Sequence, residues 1–155
     1  MRFSQHGAHV VYWQDQICVV IMHGPFNRQG IHDAVASVQN AWRQAGSPIR
    51  WALLYELRQW RGSTPEGLEE AQQFTEWAGQ HGVVAVAKLV PDQFIVRLLN
   101  GQSLEYRRDT AIGNFYDNQS ALDWLSMQGF VTEHISALLP AVQATTPTPE
   151  RDEKL

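Results

Sequence analysis

Residues Ile49–Thr64 read IRWALLYELRQWRGST. Trp51, Leu53, Leu54, Tyr55 and Leu57 put apolar side chains on both parities of a short run. The strand they predict therefore has no solvent face, and it belongs in the interior of a sheet covered by helices on both sides. The strand is expected from Ile49 to about Arg58, followed by a charged, aromatic loop, Arg58-Gln59-Trp60-Arg61-Gly62. Ser63-Thr64-Pro65-Glu66 then reads as a helix start, with proline at the first helical position and Ser63 or Thr64 supplying the cap. Open α/β sheets place their sites just past the carboxyl ends of such strands. Binding is expected at this junction.

Upstream, His9–Trp13 and Gln16–His23 read as two strands of a hairpin turning at Gln14-Asp15. Gly24-Pro25-Phe26-Asn27 is expected to break the second strand and Asn27 to cap a helix over Arg28–Ala45. In that helix Ile31, Val35, Val38 and Trp42 share one face of a 3.6-residue repeat. Downstream of the decisive stretch, Leu68, Ala71, Phe74 and Ala78 give a second helix its buried stripe, ended by Gly79 to Gly82. Val83–Val90 (VVAVAKLV) reads as another inner strand, and Asp92–Asn100 as a short helix. Gly101–Thr110 is polar and expected to be a surface connection. Ala111–Tyr116 is a last strand, and Asp117 or Asn118 caps a helix carrying Ala121, Leu122, Trp124 and Leu125. Thr132–Leu139 reads either as a last helical segment or as irregular chain. The order β-β-α-β-α-β-α-β-α implies an α/β fold: a mixed, mostly parallel sheet of about five strands with helices packed on it. Residues 1–142 are expected to form one domain, and 143–155, with no large apolar residue before the final Leu, a disordered tail.

Composition bounds the function. The chain has 155 residues, 44% apolar and 18% charged, which is the size and balance of a single globular domain. A net charge of −4 gives no general attraction to nucleic acid. No apolar run approaches the ~20 residues that cross a bilayer, so no membrane insertion is expected. MRFSQHGAHV does not read as a signal peptide, and the single cysteine, Cys18, excludes an internal disulfide. Together these favour a cytoplasmic setting; the state of assembly, homo-oligomer or monomer, is left open.

Three segments, GPFN (Gly24–Asn27), WALLYELRQW (Trp51–Trp60) and FYDNQSALDWL (Phe115–Leu125), resemble the STAS-like superfamily. That is the fold of bacterial anti-sigma-factor antagonists and of sulfate-transporter cytoplasmic domains. The likeness spans roughly residues 5 to 126 and points to the small bacterial STAS-like proteins related to CRAL-TRIO lipid-binding domains. It implies a non-enzymatic regulatory module that binds a partner protein. The alternative it implies is a carrier or sensor holding an acyl or other amphipathic ligand between helix and sheet. Phosphorylated antagonists carry an Asp-Ser-Ser-Gly type motif where the central strand meets the next helix. Here that junction has no acidic residue beside Ser63 and Thr64, and N-capping by one of the two explains it better than a phosphorylated switch.

Catalytic and metal chemistry find little footing. The six histidines show no HxxxH, HxH or HExxH spacing, so no metal site is expected, and no phosphate loop or nucleophile elbow calls for a cofactor. Cys18 lies in an apolar strand and reads as a core residue; Glu66, Glu69 and Glu70 read as the solvated first turns of a helix. Three strand ends and two helix starts are expected on one edge. They bring together His23, Phe26, Asn27, Arg58, Trp60, Arg61, Ser63 and Asp92 as the ligand- or partner-binding residues. Trp60 between two arginines supplies apolar contact beside positive charge.

Overall fold

The computed structural model describes residues 7–91 and 104–140. Strands β1 (Ala8–Gln14) and β2 (Ile17–Phe26) form an antiparallel hairpin joined by Asp15-Gln16. Both turn residues have positive φ, 53° and 67°, as a two-residue hairpin of right-handed twist requires. The turn sits one residue later than the sequence suggests, because Gln14 stays in the strand opposite Ile17. Strands β3 (Trp51–Ser63), β4 (Val83–Leu89) and β5 (Ala111–Phe115) follow in parallel, giving a sheet of order β1-β2-β3-β4-β5. The mixed, mostly parallel five-stranded sheet expected from the sequence is the one observed.

Helices α1 (Arg28–Gln44) and α2 (Pro65–Gln80) cross from β2 to β3 and from β3 to β4. Successive right-handed crossovers in one direction put both on the same face. There Ile31 and Val38 of α1 and Phe74 and Ala78 of α2 meet Cys18, Val20, Trp51, Leu53 and Val86 of the sheet. Helix α3 (Asn118–Met127) returns on the other face, where Ala121, Leu122 and Leu125 meet Ile17, Val19, Leu54 and Ala87. Trp51 anchors the first of these cores: fully buried, it lies 5.4 Å from the Trp13 ring and donates from Nε1 to the His81 carbonyl at 2.7 Å.

The caps are local. Asn27 Oδ1 accepts from the Gly30 amide at 2.9 Å, and Thr64 Oγ1 from the Gly67 amide at 3.1 Å. Thr64, not Ser63, is thus the cap of α2. Asp117 caps α3 through the Ser120 amide at 2.8 Å.

Two expectations are corrected. The central strand does not end near Arg58; it runs on to Ser63, and Ile49, at 91% exposed, is outside it. Nor does Gly24-Pro25-Phe26 end β2, because Gly24 takes a φ of 78° and the strand continues to Phe26. The two extensions need each other: His23, Gly24 and Phe26 pair with Gln59, Trp60 and Ser63 through two register irregularities, so the presumed loop has a ladder partner. Thr132–Leu139, left open between helix and irregular chain, holds a single 3₁₀ turn, Ser136–Leu138. The helix expected at Asp92–Asn100 and the tail expected at 143–155 lie outside the described residues.

Candidate functional site

Between the sheet and the α1–α2 layer lies a cavity of about 150 Å³ that is partly open to solvent. Its floor is Val20 and Met22 of β2, Tyr55, Leu57 and Trp60 of β3, and Lys88 of β4, with Val90 just beyond. Its roof is Ile31, Ala34, Val35 and Val38 of α1 with Leu68, Ala71 and Phe74 of α2; Leu104 and Tyr106 close one side. Small residues at Ala34 and Ala71 leave the space that larger ones would fill. Across the tops of the two helices, Glu70 accepts from Arg28 Nε at 3.3 Å and pairs with His32 Nδ1 at 2.8 Å. The His32 bond, more than the Arg28 contact, holds the Glu70 carboxyl below the usual carboxylate range.

The cavity is apolar except for a few groups. Trp60 Nε1 is buried and has no hydrogen-bond partner among the described residues. Lys88 faces the cavity without a carboxylate partner among those residues, and burial pushes its pKa down. Its ammonium lies 5.9 Å from the centroid of the Tyr106 ring. Burial raises the Tyr55 phenol well above its ordinary range and Tyr106 to about 12. The two hydroxyls influence each other, with Tyr55 in the donor role, and among the described residues Tyr106 Oη has no hydrogen bond of full geometry. At neutral pH both phenols stay protonated and serve as donors, not as bases.

Of the residues expected to bind, Trp60 and Ser63 line this cavity. The others are elsewhere. Arg58 points to the opposite layer, where its guanidinium grips the buried Glu56 carboxylate, donating from Nε at 2.9 Å and also from Nη2. The same guanidinium reaches Asn118 Oδ1 at 2.6 Å, so Arg58 ties β3 to the start of α3. Phe26 is core, with Gly7 against its ring, and Asn27 is the α1 cap. His23 and Arg61 are exposed at the strand ends; Arg61 reaches the Trp60 carbonyl at 3.1 Å and, more weakly, that of Arg58. Asp92 lies outside the described residues. Ser63 donates to the Thr64 carbonyl at 3.1 Å. The expected cluster of arginines is therefore divided between a buried pair and an exposed rim.

Sequence reasoning missed Lys88, Tyr55 and Tyr106. For Lys88 a signal existed: in VVAVAKLV it alternates with Val86 and Val90, so a lone charge sits on a buried parity. Tyr106, in a polar segment read as a surface connection, gave none. Cys18 is the core residue expected, its thiol pushed up to about 12 by burial. Among the described residues no group of three His, Cys, Asp or Glu side chains is placed to hold a metal, and no helix is long and apolar enough to cross a membrane.

Solved structures match this architecture. A protein of unassigned role from the DUF3478 family, from Shewanella loihica PV-4 and described as having a SpoIIAA-like fold, superposes with a TM-score of 0.57 at 17% identity. The match covers 81% of this chain and 98% of that one. The anti-sigma factor antagonist SpoIIAA in its unphosphorylated form matches with a TM-score of 0.51 at 10% identity, over 79% of this chain and 99% of its own. The chain has a STAS-like fold.

A further match, the Bacillus cell fate determinant SpoIIAA in its phosphorylated form, has a TM-score of 0.51 at 12% identity, covering 76% of this chain and 99% of that one. Neither a family model nor a curated protein matches the sequence. Within the STAS-like fold the cavity occupies the layer between the sheet and the first two crossover helices, and the Glu56–Arg58 pair lies on the opposite face.

Proposed function

We propose that this chain is a non-enzymatic binding module whose ligand is a small, largely apolar molecule held between the sheet and helices α1 and α2. The observation that carries the reading is the cavity of about 150 Å³ with the buried Trp60 Nε1, unpartnered among the described residues, on its wall. Native interiors rarely leave either a space of that size or an orphaned donor. A space near this volume has room for a molecule the size of benzene. Its protonated phenols and indole suit binding and orientation, not proton abstraction.

Native mass spectrometry of the protein purified gently from its own cells tests this. The expected spectrum carries an excess mass of a small organic molecule that disappears on denaturation. A bare chain mass that toluene or a similar small apolar molecule also fails to change would count against it.

A second reading is favoured by one feature of the rim. Arg61 is exposed, and among the described residues its guanidinium reaches only carbonyls of its own strand. A regulatory module of this fold would offer that charge to an acidic patch on a partner protein, as the anti-sigma factor antagonists of the same fold suggest. Arg61→Ala would then weaken capture of that partner while leaving stability unchanged. Equal capture by the variant would dispose of the rim as the contact.

A further inference from the structure

The polar groups of the cavity narrow the ligand class; this step rests on the cavity being a binding site. We propose that the cavity selects a small carboxylate with an apolar body, such as an aromatic or short-chain carboxylic acid, and that Lys88 supplies the counter-charge.

The argument begins with strand parity. Val86, Lys88 and Val90 alternate on the face of β4 that meets α1 and α2, and the two valines are buried. Leucine or methionine at position 88 would pack there without electrostatic cost. An ammonium on that face loses hydration, and no carboxylate among the described residues compensates it. Among the described residues its ammonium meets the Tyr106 ring, at 5.9 Å, which replaces little of the lost water.

Among the described residues, the buried polar atoms of the cavity left without a partner are Trp60 Nε1 and Tyr106 Oη. Trp60 Nε1 is a donor only, and Tyr106 Oη keeps its proton. A cavity with a cation and two spare donors is complementary to a ligand that brings acceptors and negative charge. A cationic ligand would add like charge to Lys88, and a donor-rich neutral one would leave all three groups unsatisfied. The volume sets the body at about the size of a benzene ring, and the apolar walls favour a monoanion over a more strongly hydrated phosphate dianion.

Benzoate and toluene are the probes, since they share a ring and differ in the carboxylate. Titrations of the full chain would follow the Trp60 indole N–H resonance by NMR and affinity by calorimetry. Both probes are expected to saturate in the wild type and to shift that resonance, with benzoate the tighter. Lys88→Met should weaken benzoate by about tenfold or more and leave toluene within about twofold, as for loss of a charged hydrogen-bond partner. The toluene arm reports whether the variant's cavity is intact, and Lys88→Gln provides a second variant that keeps a polar head. Toluene binding with benzoate no tighter, or unaffected by either substitution, would overturn the carboxylate inference and leave the cavity reading standing. Failure of both probes to bind the wild type would overturn both.

Discussion

Arg58 shows how one residue changes role between sequence and structure. In the sequence it is one of two arginines flanking a tryptophan, suited to a binding rim. In the fold its partner Glu56 is only 3% exposed, and Arg58 itself, at 13% side-chain exposure, spans from that carboxylate to Asn118 of α3. Removing one member of a buried pair strands the other, at a cost of about 3–5 kcal/mol. Arg58→Ala should therefore be strongly destabilised in urea denaturation, and Glu56→Leu with Arg58→Met should recover most of the loss. Arg61→Ala should stay within about 0.5 kcal/mol of the wild type. A loss under about 1 kcal/mol for Arg58→Ala would show the pair to be solvated and Arg58 available as a surface cation after all.

The elements show which signals are local. Gly82 precedes β4 with a φ of 102°, and a Cβ there would run into the carbonyl of Ile49. Gly82→Ala combines a left-handed backbone with a backbone clash, so it should cost roughly 2 kcal/mol or more, read from thermal or urea unfolding. A neutral result would mean that the segment leading into β3 moves aside freely. Helices α1 and α2 were legible because caps, proline and the 3.6-residue stripe lie within each segment. The double-faced burial of Trp51–Leu57 and Val83–Val90 was legible for the same reason. The extension of β3 to Ser63 was not, because its backbone partners lie in Gly24-Pro25-Phe26, which by itself reads as a break. The inward role of Trp60 was hidden with it: flanking arginines suggest solvent, and only strand geometry turns the ring toward the cavity. Tyr106 gave no periodicity to read, so a cavity wall was invisible in the sequence.

At the scale of the whole molecule, the segment after α3 is tied to the hairpin turn by His134 Nδ1 and Asp15 Oδ2, 2.6 Å apart. The hydrogen bond first, and the charge second, raise His134 above its ordinary 6.5. The bonds from His134 and then Gln14 lower Asp15 below 3.8. A raised histidine pKa gives stability that is full below 6.5 and is lost as pH climbs through the higher folded value. A lowered carboxylate pKa gives stability that is full above 3.8 and is lost as pH falls through the lower one. The pair thus contributes fully between about pH 4 and 6.5. Thermal midpoints of the wild type and His134→Gln should differ most in that window and converge above it; a constant difference from acid to alkaline pH would contradict the pair. Xenon-pressurised crystals of the full chain test the cavity between the sheet and helices α1 and α2. Diffraction should place xenon between Val20, Val38 and Phe74, with the Trp60 ring as a wall. The contradicting result is an unoccupied, collapsed layer in which these side chains meet and the Trp60 indole donates to a protein acceptor.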